Sequence, residues 1–437
     1  MPQEALWFLV IGVLLMFVAL ARGPIARLPL TGAMIYLVAG VLVGPGVLGL
    51  VRTDLAQSVR TLAIVAEAGL VVSLFSVGMH LRVRLRDPLW RLPLRLGVLA
   101  MVVGVALMFA FAWAIGVPVG VALFLAAALA PTDPVLANEL RVHEAGDAEP
   151  VRFALSGEGG LNDGAALPFA LLGLALCGVS MPGTHGAVQF AASLVWGVAG
   201  ALLIGAVLAT LCVRLVLLLR TRYGEAVGLD GFIAIGLMSV TYGAALLAHA
   251  YAFVAVFAAG VALRHAELRA TGEQRRPAEE LETVQLGERA QVATDPRRAH
   301  VWLAEGMTGF TLEIEHFAEL SLLLIIGCVV SAHWRDMLEP HALLIALALV
   351  FVVRPLAVLA AMIGSRADSQ QRRLMAWMGI RGVGSFYYAV WGIDQAGDTM
   401  QPVLAAALDA IVISVALHGS TAGYVLGRYY RRTQAQS

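Results

Sequence analysis

From residue 5 to residue 427 the chain is a succession of apolar runs, separated by short connections that carry charge, Gly or Pro. A bilayer core about 30 Å deep is crossed by roughly 20 apolar residues in a helix. Inside that core a segment has no water to satisfy its backbone, so runs of this length commit the chain to helices packed side by side. Thirteen runs fit: 5–21, 29–50, 60–81, 94–116, 118–140, 152–178, 188–219, 228–246, 249–264, 315–332, 341–363, 374–394 and 401–427. The 228–264 region also reads as one long span, because only Ala248-His249 and their neighbours interrupt it. Composition agrees: 59% of the 437 residues are hydrophobic and 14% charged, with a mean hydropathy of +0.82. Soluble domains carry about 25% charged residues. The first run begins directly after Met1-Pro2-Gln3-Glu4, with no Arg before residue 22, so it reads as a true span and not a cleaved signal.

The net charge is zero, so the total says nothing about nucleic acid, and none is expected as a partner of a membrane bundle. All 30 basic residues are Arg, which excludes a lysine as cofactor anchor or titrating base. No cofactor is expected. Cys177, Cys212 and Cys328 lie singly in apolar runs without metal-ligand spacing and read as small buried hydrophobes. What carries information is the placement of arginine. Connections after odd-numbered runs hold Arg22 and Arg27, Arg82 to Arg91, Arg141 and Arg152, Arg220 and Arg222, Arg264 to Arg298, Arg366 to Arg373, and Arg428 to Arg432. The even ones hold only Arg52, Arg60 and Arg335. By the positive-inside rule this asymmetry predicts an outside N-terminus, a cytoplasmic C-terminus and an odd number of spans. The one long connection, 265–314, is charged and turns apolar at "VWLAEGMTGF"; it reads as a cytoplasmic loop with an interfacial amphipathic helix. Residues 428–437 form a short cytoplasmic tail.

Seven charged residues fall inside apolar surroundings: Glu67, Asp133, Glu158, Asp163, Arg354, Arg381 and Asp409. Charge at membrane depth is costly, so such residues pair or line a polar path. Asp133 sits in "APTDPV" between two prolines. Pro131 and Pro134 lack the N–H groups that would reach the carbonyls of Ala127 and Ala130, and each disfavours helix at the residue before it. The helix is therefore expected to unwind there, with Asp133 as N-cap of a half-helix beginning at Pro134. Unwound backbone at that depth must be buried in protein or line an aqueous cavity.

The next run contains "SGEGGLNDGAALPF". Glu158 and Asn162 are i and i+4, on one face, while Asp163 lies about 100° further round. Gly159, Gly160 and Gly164 weaken the helix and suit close approach of another backbone, for which Thr132-Asp133 is the obvious candidate. Arg354 in "VVRPLAV" and Arg381 in "GIRGVGSF" need partners, and Glu158 is the natural one for either. Gly382 and Gly384 mark a second weak helix. Broken helices at matching positions in two halves build midplane sites in inverted-repeat transporters.

Together "PTDPV", "GEGGLNDG", "VVRPLAV", "GIRGVGSF" and "IVISVALHGSTAGYVL" resemble the NhaP-type members of the monovalent cation/proton antiporter superfamily, which includes sodium/proton exchangers. The resemblance spans nearly the whole chain. It implies an all-α polytopic membrane protein with inverted repeats, two discontinuous crossing helices and commonly thirteen spans. On that plan residues 94–178 and 341–427 form the core, 5–81 and 228–332 a dimerisation scaffold, and 188–219 a linker helix, all within a membrane domain over 1–427. The protein would be a homodimer in the cell membrane, the inner membrane if bacterial.

The resemblance also implies roles. Asp163 would bind cation or proton in competition, beside Asn162, with Thr132 and Asp133 of the unwound fifth span helping to coordinate the cation. Glu158 would pair with Arg354, and Arg381 would hold the twelfth-span crossing. Members with Asn-Asp at this position exchange one cation for one proton. Many members carry Ser where this chain has Gly159, which leaves a ligand to be supplied by water or backbone; Glu67 is a further candidate acid. His418 reads as a satisfied buried histidine. The activity implied is secondary antiport, not catalysis: an alkali cation, Na+ first, against H+ by alternating access. Two alternatives stay open, a K+/H+ antiporter of the efflux type and a cation channel. The sequence shows no obvious repeated selectivity-filter loop, which weighs against the channel.

Overall fold

The computed structural model describes residues 3–25, 31–51, 55–133, 149–181, 183, 186–224, 228–272, 293–295 and 298–434. Among them no strand occurs, and the elements follow in chain order as α1 Gln3–Ile25, α2 Gly32–Val43, α3 Leu55–His80, α4 Pro88–Ala114 and α5 Val119–Ala128. Next come α6 Pro150–Leu176, α7 Ala187–Tyr223, α8 Asp230–Leu247, α9 Ala252–Thr271 and α10 Ala299–Met337. The last are α11 Pro340–Ala361, α12 Ser369–Trp377, α13 Val383–Ala396 and α14 Gln401–Gln434. Eight stretches of described helix are long and apolar enough to cross a membrane, and shorter apolar helices accompany them.

The 228–264 region is two helices, as the separate runs 228–246 and 249–264 have it and not one long span, split where His249 takes a φ of 54° between α8 and α9. One boundary differs from the sequence reading. The stretch read as loop from 265 to 314 is flanked by helix on both sides: α9 runs on to Thr271, and "VWLAEGMTGF" is the opening of α10. A buried ion network makes that extension stable. Arg82, just after α3, donates to Glu267 of α9 at 2.9 Å, and Arg264 donates to Glu305 of α10 at 2.7 Å and to the Met79 carbonyl at 2.6 Å. Charged helix ends that neutralise one another need not leave the protein to find water.

The two halves share one plan. In α4 a π-turn at Arg95–Ala100 precedes the broken α5 and the long α6; in α11 a π-turn at Leu349–Val353 precedes the broken α12–α13 and the long α14. In α11 the wider turn has a clear cause, because Pro355 supplies no N–H and crowds the preceding turn. α11 packs along both α4 and α14, and α5 along α6, so the two units interlock. Outside them, α2 packs on α10, α3 on α9 and α10, and α9 on α7. α3 also lies against α13, which brings the outer helices up to the second break. α7 shows aliphatic side chains such as Val195, Leu203 and Leu211 on its outer face, as a lipid-facing helix does.

Candidate functional site

α5 stops short of a full crossing. The Leu129 and Ala130 amides close the last turn, the latter onto the Ala127 carbonyl at 3.2 Å, and Pro131 then has no N–H to continue it. The next carbonyls point to Arg381: its Nη1 donates to Ala130 O at 2.6 Å and to Pro131 O at 2.8 Å. Arg381 itself stands in the second break, residues 378–382 between α12 and α13, and its own amide donates to Ser414 Oγ of α14 at 2.9 Å. The two unwound segments are joined directly, since the Asp133 amide donates to Ile380 O at 2.9 Å. The Val383 amide, at the start of α13, reaches Asp133 Oδ2 at 3.4 Å. Asp133 thus lies at the N-terminus of α13, where unpaired amides and the helix dipole favour a carboxylate. The half-helix expected from Pro134 onward lies outside the described residues.

α6 crosses beside this junction with its glutamate, asparagine and aspartate buried. Asn162 Nδ2 donates to Thr132 Oγ1 at 2.8 Å, linking α6 to the α5 break. The Asp163 carbonyl accepts from Tyr388 OH of α13 at 2.5 Å. Its carboxylate is 7% exposed and accepts no hydrogen bond from any described residue. It instead faces a small cleft, which Thr132, Asp133, Gly159 and Val383 line on one side and Ser73, Glu315, Glu319 and Leu322 of α3 and α10 on the other. Gly384 is required here by space: a Cβ on it would stand 2.7 Å from Asp163 Oδ1 and 3.1 Å from Pro131 Cβ.

Glu158 turns away from the cleft. Both its oxygens accept from the Arg354 guanidinium, Oε2 at 2.9 Å, and Arg354 also donates to Met378 O at 2.7 Å and Met375 O at 3.2 Å. One arginine therefore neutralises the acid of α6 and ends α12. The pair is buried, and its remaining donors are used by carbonyls that the second break leaves open.

One expectation is corrected, and one candidate acid lies elsewhere. The α6 glycines do not all receive the α5 break: Gly160 meets the ring of Phe257 and Gly164 meets Val254, both on α9, while Gly159 alone of the three lines the cleft. The reason is helical spacing, since Gly160 and Gly164 form a stripe that faces a different neighbour from Gly159. Glu67 is not at the cleft; it accepts from Tyr242 OH on α8. His418 Nδ1 lies 3.0 Å from Ser414 O, its ring edge-on to Trp377, and Asp409 is buried on α14.

Four residues at the site were not singled out in the sequence. Ser414 and Tyr388 carry no charge and look like ordinary polar residues in apolar helices. Glu315 and Glu319 stand at the edge of an apolar run, next to the charged connection, and read as its border. The signal that could have found them is their i, i+4 spacing ahead of "LSLLLII", which puts both carboxylates on one face of α10. Among the described residues no three His, Cys, Asp or Glu side chains converge as a metal-ligand set. The oxygens at the crossing are mixed: carboxylate, hydroxyl and backbone carbonyl.

The same fold occurs in solved structures. The sodium/proton antiporter MjNhaP1 of Methanocaldococcus jannaschii at pH 8 superposes with a TM-score of 0.68 at 19% identity, over 95% of this chain and 96% of that one. An electron-microscopy structure of MjNhaP1 gives 0.69 at 18% identity, with 97% of each chain covered. At these identities the likeness is one of fold. No match was found among curated proteins. The family model described as "sodium/hydrogen exchanger, transmembrane" matches residues 12–428, nearly the whole of the sequence. With its crossed broken helices and buried aspartate, the chain belongs to the transmembrane sodium/hydrogen exchanger family.

Proposed function

We propose that this membrane protein exchanges Na+ for H+ by alternating access, with the two ions competing for Asp163. The observation that carries this reading is the Asp163 carboxylate itself, buried at the crossing of two broken helices, without a hydrogen-bond donor among the described residues and open to a cleft. A bare buried carboxylate is stable only with a bound proton or a bound cation. That is the chemistry of exchange. Thr132, Asp133 and Asn162 complete the proposed site, Thr132 and Asp133 offering oxygen to a hard alkali cation and Asn162 holding the Thr132 hydroxyl in place. Glu158, Arg354 and Arg381 are assigned to structure, neutralising one another and the open carbonyls of the breaks. Glu67 is assigned to packing against α8 and not to the ion path.

In this reading residues 94–178 and 341–427 move as a core against a scaffold formed by 5–81 and 228–332, with 188–219 as linker. The scaffold is the expected homodimer contact, in a cell membrane with the N-terminus outside and the C-terminus cytoplasmic. The Asn162-Asp163 pair suggests exchange of one cation for one proton. Competition also sets a sign: protons displace cation, so apparent cation affinity rises with pH, by up to about tenfold per pH unit while the proton dominates. The test is proton movement in everted vesicles on addition of Na+, Li+ and K+ in turn. Wild-type protein is expected to respond to Na+, and Asp163→Asn to respond to none; retained exchange in the variant would sink the assignment. A response to K+ alone would leave the antiport and change the cation.

A further inference from the structure

The cleft at Asp163 has two walls of different origin. One is the crossing, with Thr132, Asp133 and Val383; the other is α3 and α10, with Ser73, Glu315, Glu319 and Leu322. Glu315 is 2% exposed, and Ser76 Oγ of α3 donates to its Oε2 at 2.6 Å. Glu319, one turn further along α10, is half-buried and lines the same cleft. A buried glutamate on a helix outside the crossing is unexplained by the roles assigned so far. Ion pairing within the scaffold accounts for Arg82, Arg264, Glu267 and Glu305.

We propose that Glu315 is a recruiting carboxylate on the scaffold wall, a position at which an alkali cation is drawn into the cleft before it reaches Asp163. The proposal rests on the reading of Asp163 as the exchanging acid. Three features support it. Glu315 shares the cleft with the two aspartates, yet does not close with them into one set of ligands, which places it along the path and not at its end. Its orientation is held by Ser76, so the charge is presented without the entropy cost of a free side chain. And the cleft it faces contains Asp163, a carboxylate more than nine-tenths buried that no described donor satisfies, so a cation drawn in has a destination. A negatively lined, low-dielectric cleft raises the local cation concentration and the entry rate. In alternating access a fixed charge on the scaffold has a further consequence, because the core carries Asp163 towards or away from it, and recruitment then acts in one orientation only.

The experiment is exchange in proteoliposomes with wild type, Glu315→Gln, Glu315→Asp, Ser76→Ala and Asp163→Asn. Glu315→Gln is expected to raise the half-saturating Na+ concentration about fivefold, with the maximal rate kept within about twofold. Glu315→Asp is expected to recover most of the affinity. Raising ionic strength with an impermeant salt should shrink the difference between wild type and Glu315→Gln, since a recruiting charge is screened and a packing defect is not. If Glu315→Gln does not fold, Ser76→Ala, which releases the carboxylate from its hold, carries the test with a smaller shift of the same sign. An unchanged half-saturating concentration, or a loss confined to maximal rate and insensitive to salt, overturns the proposal. Exchange retained in Asp163→Asn would overturn the functional reading instead, which separates the two failures.

Discussion

The amide of Asp133 donates to the carbonyl of Ile380 at 2.9 Å, and this bond ties together two unwound segments that lie 247 positions apart in the chain, 380 less 133. Each break supplies what the other lacks. The first has carbonyls without donors at Ala130 and Pro131, and the second brings Arg381 to them. The second begins a helix with open amides at Val383, and the first brings the Asp133 carboxylate. Neither break would be tolerable in a membrane alone.

Arg381→Gln should therefore damage both breaks. It strands two buried carbonyls, each at a cost of about 1–3 kcal/mol. The expected result is a lower melting temperature of the detergent-solubilised protein and a loss of most exchange. Arg381→Lys should recover only part of both, because an ammonium does not reproduce the planar reach of the guanidinium to two carbonyls. Full recovery by lysine would show that charge alone matters there.

Glu158→Gln tests the division between structure and transport. Removing one partner of a buried ion pair typically costs about 3–5 kcal/mol. The variant should melt markedly lower, while the folded fraction keeps its half-saturating Na+ concentration within about twofold. A large shift in cation affinity with unchanged melting would move Glu158 into the ion path.

Gly384→Ala addresses the shape of the site. The added methyl would meet Asp163 Oδ1 at 2.7 Å, so the carboxylate must move. Misplacing a reacting group by a fraction of an ångström to an ångström costs on the order of tenfold or more in rate. Exchange should fall by about that factor with normal expression. Gly104→Ala is the control, since its methyl would make only an ordinary contact at 3.6 Å with Ala357.

Tyr388→Phe removes the hydroxyl that donates to the Asp163 carbonyl at 2.5 Å. One such bond contributes about 0.5–1.5 kcal/mol. The expected outcome is a modest loss of thermal stability with exchange preserved and its pH profile shifted by less than about one unit. Abolished exchange would place Tyr388 among the residues that contact the ion.

Much of this architecture is legible in the sequence because its causes are local. Pro131 removes a particular N–H, so the failure of α5 follows from one residue type at one position. Glu158 and Asn162 share a face because the α-helix repeats every 3.6 residues. Other features have no local cause. The sequence offers no sign that Gly160 and Gly164 face Phe257 and Val254 of α9, because they look no different from Gly159 until a neighbour is placed. Glu67 and Glu315 are both acids in or beside an apolar run, yet one meets Tyr242 and the other the cleft. Which one faces the cleft depends on the rotation of α3 and α10 about their axes, and that rotation is set by packing.

What the sequence determined by itself is the part written in hydropathy and in proline: a bundle of membrane helices, two of them broken, with acids and arginines at depths where each must find a partner. The partners were decided only by the tertiary structure. Hydrogen bonds within a helix join residues four apart, whereas Asp133 to Ile380, Arg354 to Glu158 and Ser76 to Glu315 join residues hundreds apart, and no local pattern can encode such pairings.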